Sequence, residues 1–245
     1  MLRKGDEVCL FQGCPAERSI AFHKGAFVIS ILDYGAGNLR SVENTLGALG
    51  VEYELVRDAD ALRQATKIVL PGVGHFGQMM RALDEMQVRE ALVERIGAGV
   101  PFLGICLGLQ ALFESSEEAP QARGLGLFAG RIEKFRGEAR VPHMGWNSLE
   151  RARESRLLEG TGVAPYVYFA NSFYAPAGEE ASAICTYGVK FSAVIEHRNI
   201  FAVQFHPEKS GAVGLKIVGN FVKIHGGDTS VDAARTSACA TEERD

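Results

Sequence analysis

Apolar residues along this chain come in short bursts that switch between two rhythms. Phe27-Val28-Ile29-Ser30-Ile31-Leu32 is a run of buried-strand length; after a Gly-containing turn, Leu39, Val42, Leu46 and Leu49 recur at helical spacing. Asn38 stands where an N-cap belongs and Gly50 where a helix stops. Val51, Tyr53 and Leu55 then alternate as a second strand. Residues 67–70 predict a third strand, followed by a glycine-rich loop over 71–77 and a helix carrying Met79, Leu83 and Met86 on past Glu90. Residues 100–105 predict a fourth strand and 107–113 another helix. Strand, turn and helix repeated in this way predict an α/β fold: an open, mostly parallel sheet flanked by helices on both faces.

The rhythm changes in the second half. Residues 131–135, 167–169, 183–187, 192–197 and 200–205 read as short strands, with Arg198-Asn199 as a hairpin turn, and predict an antiparallel or mixed extension of the sheet. Val213, Ile217, Val218, Phe221 and Val222 mark a last helix ending near His225. Residues 1–26 and 226–245 show neither period, so they are expected to be an appended N-terminal extension and a disordered acidic tail around one domain at 27–225.

Composition narrows the classes of function. With 245 residues, 47% hydrophobic and 23% charged, the chain is long enough to bury a large core. A formal charge of −4 supplies no basic field for phosphate backbones, so nucleic acid is not an expected partner. No apolar run reaches the roughly 18–20 residues needed to cross a bilayer, and no secretory signal is expected at the start of the chain. Five cysteines at scattered spacings suit a reducing compartment, so a cytoplasmic setting is expected.

The sharpest chemical signal is Gly104-Ile105-Cys106-Leu107-Gly108, where a buried strand meets a helix. It has the form of a nucleophile elbow with cysteine in place of serine, the glycines permitting a strained turn and the helix N-terminus favouring a thiolate. A cysteine nucleophile needs a base. His206 ends the 200–205 strand, and Glu208, two residues on, shares its face in extended chain and can orient the ring. Gly72-Val73-Gly74-His75-Phe76-Gly77 literally matches a dinucleotide fingerprint, but it does not follow the first strand, and Glu94 falls in a helical stretch rather than at a strand end. A glycine loop of this kind can instead turn its amides toward an oxyanion. Cys9, Cys14 and His23 lack a fourth ligand and zinc-like spacing, so no metal site is expected. Trp146, the only tryptophan, lies beside Pro142, His143 and Asn147 on an expected loop and is a candidate interface anchor.

With the elbow and Phe205-His206-Pro207-Glu208 in hand, the chain resembles the class I, triad-type glutamine amidotransferases. Asp33-Tyr34-Gly35-Ala36-Gly37-Asn38-Leu39, the 71–77 loop, Pro142-His143-Met144-Gly145-Trp146-Asn147 and the 205–211 stretch extend the resemblance to the glutaminase subunits of imidazole glycerol phosphate synthase in histidine biosynthesis. The resemblance implies that Cys106 attacks the carboxamide of glutamine, His206 protonates the departing ammonia, Glu208 orients His206, and a thioester is hydrolysed to glutamate. It assigns oxyanion and substrate contacts to Gly72, Val73 (after a loop rearrangement), Gly74, Leu107, Gln110, Glu118, Asn171, Ser172 and Phe173. It implies no cofactor, and a heterodimer with a (β/α)8-barrel cyclase subunit that receives the ammonia and faces Asn38, Trp146 and Lys209. Asn171 and Phe173 stand where the family commonly has histidine and tyrosine, and Leu109 where it has methionine; asparagine keeps a donor and an acceptor but cannot carry a charge. Two alternatives remain: a paralogue feeding ammonia to another acceptor, such as a sugar amidine, or a silent regulatory module.

Overall fold

The computed structural model describes residues 28–137 and 139–226. The elements run β1 (Ile29–Leu32), α1 (Leu39–Ala48), β2 (Tyr53–Val56), α2 (Ala59–Gln64), β3 (Ile68–Gly72), α3 (Phe76–Glu85), α4 (Arg89–Gly97), β4 (Phe102–Cys106), α5 (Leu107–Gln110), β5 (Phe113–Ser116) and β6 (Phe128–Lys134). There follow β7 (His143–Ser148), β8 (Glu150–Arg151), β9 (Tyr166–Asn171), β10 (Phe173–Tyr174), β11 (Ala181–Tyr187), β12 (Val189–His197), β13 (Ile200–Val203), a 3-10 turn (Pro207–Lys209) and α6 (Gly211–Lys223).

Eight strands form the main sheet in the order β2-β1-β3-β4-β13-β12-β11-β8. The first five are parallel, and β12, β11 and β8 extend the sheet antiparallel. The central strands are apolar on both sides because both faces are covered. On β3, Ile68 and Leu70 enter the core under α2, α3 and α4, while Val69 enters the opposite core with Leu46 of α1 and Ile217, Val218 and Phe221 of α6. The same alternation holds on β13, where Ile200 and Ala202 face one core and Phe201 and Val203 the other.

The expected antiparallel extension is only partly right. Residues 131–135 fall mostly in β6, which joins β5 and β10 in a separate three-stranded sheet, and 167–169 lie in β9, which pairs with β7 as a ribbon. The single helix expected from Met79 past Glu90 is two helices, broken where Gln87 takes φ 56°. Asn38 does stand at the N-terminus of α1, but its side chain makes no capping hydrogen bond. The expectations for residues 1–26 and for the tail from 227 lie outside the described residues.

One buried side chain in the ribbon gives stability a pH dependence. The His143 ring is stacked between Phe169 and Tyr187, with centroids 4.7 and 3.8 Å away, and its Nδ1 has no hydrogen-bond partner. Burial lowers its pKa from 6.5 to about 4. The unfolded chain therefore binds a proton between pH 6.5 and 4 that the folded chain refuses, so this site contributes stability that falls as pH drops through that window. Acid unfolding monitored by circular dichroism should show His143→Phe gaining on the wild type by up to roughly 3 kcal/mol by about pH 4. A constant difference between the two from neutral pH down through that window would refute it.

Candidate active site

The parallel strands β3, β4 and β13 end at the same edge of the sheet, which brings three loops together. Gly72 pairs in register with Cys106, and Val203 with Ile105, so the residues just beyond β13 flank the end of β4. Cys106 itself occupies φ 54°, ψ −103°, a left-handed conformation that a residue with a Cβ adopts only under strain. The strain thus sits on the cysteine, whereas Gly104 and Gly108 serve a different need from the one expected of them: neither has positive φ. A Cβ on Gly104 would lie 2.6 Å from the Gly108 carbonyl oxygen, and one on Gly108 would lie 2.1 Å from the Leu70 oxygen. The glycines let the chain double back tightly against β3, and Gly72 completes this packing, since its Cβ would stand 2.6 Å from the Leu107 Cβ.

The base arrives on the β13 side. The His206 amide donates to the Tyr168 carbonyl at 2.9 Å, and Ser210 Oγ donates to the His206 carbonyl at 2.7 Å while accepting from the Tyr168 amide at 3.0 Å. This clamp, for which the sequence offers no local signal, fixes the backbone around the histidine. The His206 Nδ1 meets Glu208 Oε1 at 2.8 Å, and both side chains are buried. Burial works against a charged ring, but hydrogen bonding to the Cys106 sulfur and to Glu208, with the negative charge of both, outweighs it and raises the His206 pKa from 6.5 to about 10. The arrangement therefore holds a protonated His206 between the Cys106 sulfur and the Glu208 carboxyl group, with a proton ready to deliver to a leaving group.

A buried amide cluster backs the sulfur. Gln110 Nε2 donates to the Phe173 carbonyl and to Gln204 Oε1, both at 3.0 Å, and Asn171 Nδ2 donates to the same Phe173 carbonyl at 2.9 Å. Gln204 was not singled out from the sequence, although a lone amide ending the apolar run Ile200-Phe201-Ala202-Val203 must find a buried partner. Asn171 is buried with its Oδ1 unpartnered, and Ser172 and Phe173 lie half-buried beside it. The helix expected over 107–113 shrinks to the single turn α5, so no long helix dipole stands behind the sulfur.

Leu107 directly follows the cysteine and is buried in the elbow's turn; Val73 and Gly74 form an exposed loop above Gly72, with Gly74 at φ 98°. The Tyr34 hydroxyl is buried without a well-formed hydrogen bond, and the Val73 amide approaches it. Burial, moderated by that amide and reinforced by the charges of Cys106 and Asp33, pushes Tyr34 up to about 12. Glu118 Oε2 accepts from the Phe76 amide at 2.7 Å, which sets a carboxylate on the N-terminus of α3. An anion already occupies the place a dinucleotide phosphate would need, and the fingerprint's glycines have other duties. Gly72 packs on the elbow, and Gly77 packs on Ala119, whose Cβ would lie 2.9 Å from a side-chain carbon at that position. An open cleft of about 810 Å³ is bordered by His75 and Glu118 but by no member of the Cys106, His206 and Glu208 set.

Two of the candidate interface residues, Trp146 and Lys209, meet at the ring of Tyr168. The ribbon of β7 and β9 turns His143, Val167 and Phe169 inward and Met144, Trp146, Tyr166 and Tyr168 outward. Trp146 is therefore on a strand rather than a loop, 52% exposed, with its ring edge-on to Tyr168 at 6.0 Å. Lys209 lies over the other end of this patch, its Nζ 5.9 Å from the Tyr168 ring. Asn38 is half-buried just before α1 and stands apart from that patch in the chain. Among the described residues no three His, Cys, Asp or Glu side chains are grouped to hold a metal, and no helix is long and apolar enough to cross a membrane. Cys9, Cys14 and His23 lie outside the described residues.

Known proteins repeat both the sheet and the sequence. The chain is 43% identical over 211 residues to imidazole glycerol phosphate synthase subunit HisH of Desulfitobacterium hafniense (strain Y51), spanning 85% of this chain and 100% of that one. It is 47% identical over 198 residues to the subunit of the same name from Methanothermobacter thermautotrophicus, spanning 80% and 98%. A solved glutamine amidotransferase superposes with TM-score 0.64 at 21% identity, covering 80% of this chain and 97% of the other, and PurLQS from Thermotoga maritima does so with 0.64 at 18%, covering 80% and 98%. These two likenesses speak to the fold alone. The model of the family "Glutamine amidotransferase class-I" matches residues 30–224, a span that holds the elbow, the histidine turn and the sheet edge that joins them, and the chain belongs to that family.

Proposed function

We propose that this chain is the glutaminase subunit of an imidazole glycerol phosphate synthase, hydrolysing glutamine to glutamate and passing the ammonia to a cyclase subunit in histidine biosynthesis. The observation that carries the reading is the strained Cys106 at the end of β4 beside a buried His206 whose Nδ1 is held by Glu208 Oε1 at 2.8 Å. In this reading the Cys106 thiolate attacks the carboxamide carbon, His206 gives its proton to the departing ammonia, and Glu208 holds the ring in place. Water then hydrolyses the thioester. The Leu107 amide and, once the 73–74 loop turns over, the Val73 amide hold the oxyanion. Gly72, Gly74, Gln110, Glu118, Asn171, Ser172 and Phe173 shape the glutamine pocket; Asn171 acts through its amide alone.

The amidotransferase domain spans residues 27–225 in this reading and works without a metal or cofactor in the cytoplasm, a setting supported by the free thiols of Cys106 and Cys185. Its partner is a (β/α)8-barrel cyclase subunit docked on the face that carries Trp146 and Lys209, with Asn38 as a further contact. The exposed aromatic ribbon supports this, since a patch of Met144, Trp146 and Tyr166 facing solvent is the kind of anchor an interface buries.

Glutamate release by the purified chain, alone and with a cyclase subunit and its ribonucleotide substrate, tests the reading. Release should rise at least tenfold when both are added. A folded chain that releases no glutamate under any of these conditions would shift the reading to another acceptor or to a silent module.

A further inference from the structure

The amide cluster behind Cys106 has a direction, and the direction is set by one atom. The Phe173 carbonyl oxygen can only accept, so Gln110 must turn its Nε2 toward it, as the 3.0 Å contact shows. The same Nε2 reaches Gln204 at 3.0 Å, so Gln204 must present its oxygen there. An amide that shows oxygen on one side shows NH2 on the other, and the Gln204 NH2 lies 3.6 Å from Cys106 Sγ. Reversing either glutamine would set two oxygens against each other or an oxygen against a thiolate. Asn171 occupies the second lone pair of the same carbonyl from 2.9 Å, which holds the anchor still. Gln204 is wholly buried, so no water competes for its donor.

We infer that Gln204 is a catalytic residue of the glutaminase proposed above, donating a hydrogen bond to the Cys106 sulfur that favours the thiolate, with its donor aimed by the relay from the Phe173 carbonyl through Gln110. The inference rests on that proposed function. The need for such a donor follows from the fold: α5 is one turn long, so the sulfur cannot draw on a long helix N-terminus and relies on discrete donors, His206 on one side and Gln204 on the other. The same bond serves the second half of the reaction. When water attacks the thioester carbon, the carbon–sulfur bond breaks and its electron pair returns to sulfur, where Gln204 meets the developing charge.

The test is the pH dependence of Cys106 alkylation by iodoacetamide in the full chain, read at the Cys106 peptide by mass spectrometry, for wild type, Gln204→Met and the isosteric Gln204→Glu. The midpoint should rise by about 0.5–1 pH unit in Gln204→Met and further in Gln204→Glu, which sets an anion beside the sulfur, with kcat for glutamate release down about tenfold in both. Cys185, buried with its thiol pushed up to about 12, does not compete. A merely structural role would lower the melting temperature and leave the midpoint alone. A midpoint equal to wild type in folded Gln204→Met overturns the inference, and Gln204→Leu, which likewise removes the donor without adding a charge, supplies the answer where Gln204→Met does not fold. Failure of the underlying reading would look different: a wild type whose glutamate release survives loss of the Cys106 thiol.

Discussion

Cys106→Ala is expected to lower glutamate release by about 10⁴-fold or more while leaving the fold intact, because removing a nucleophile removes the reaction path and not merely one contact. The methyl of alanine occupies the Cβ position that cysteine already fills, so the left-handed turn at φ 54° is neither relieved nor worsened, and the circular dichroism spectrum should match the wild type. The variant also reports on the histidine. Cys106 contributes both a hydrogen bond and a negative charge to the raised pKa of His206, and without them burial, which acts in the opposite direction, regains ground. The ring titration seen by NMR should therefore fall from about 10 in the wild type toward the ordinary 6.5. The sign fixes the wild-type activity profile as well: a histidine with a raised pKa keeps its proton as pH rises through neutrality, so the acid that delivers a proton to ammonia is lost only near about pH 10. Full activity in Cys106→Ala, or a ring titration unmoved by it, would contradict the roles assigned to these two residues.

Much of this site could be read from the chain because its chemistry is local. The elbow's residues are contiguous, and His206 and Glu208 are two apart, though the expected extended chain is in fact a 3-10 turn over Pro207–Lys209, and it is this turn that brings the carboxylate back to 2.8 Å from the ring. The parallel strands were equally plain, since burial on both sides makes them unbroken apolar runs such as Ile200 to Val203. Elements that depend on distant partners were not. The β7 strand turns His143 and Gly145 inward and Met144 and Trp146 outward, an inverted pattern that mimics a loop until the aromatic face is seen as a surface. The break between α3 and α4 falls on Gln87, which takes a positive φ without the glycine or proline that would announce it. Residues 107–113 are buried on every side, so helical periodicity vanishes where the chain turns from α5 into β5. Gln204 escaped because its partners, Cys106 and Gln110, are about a hundred residues away, and only the register of β13 beside β4 unites them.

That register makes the elbow as much a packing device as a chemical one, and Gly108→Ala is expected to be the most damaging small substitution in the chain's first half. The added methyl would stand 2.1 Å from the Leu70 carbonyl oxygen, an atom of the central strand β3 that cannot swing aside like the end of a flexible side chain. Either α5 lifts off β3 or β3 shifts against β4. The first course draws Leu107 and Gln110 away from their places beside the cysteine, and the second disturbs the pairing of Gly72 with Cys106. Overpacking of this kind costs about 1–3 kcal/mol where neighbours can yield and more where they are backbone, so a loss of roughly 3 kcal/mol or more is expected in urea unfolding. Gly47→Ala in α1 is the matched control, because its methyl would meet nothing within 4 Å and a helix interior favours alanine over glycine by about 1 kcal/mol. The two changes add the same methyl group yet should move stability in opposite directions. Equal midpoints for Gly108→Ala and wild type would mean that the elbow tolerates a wider turn than its geometry allows, and the tight approach of α5 to β3 would no longer account for the glycine.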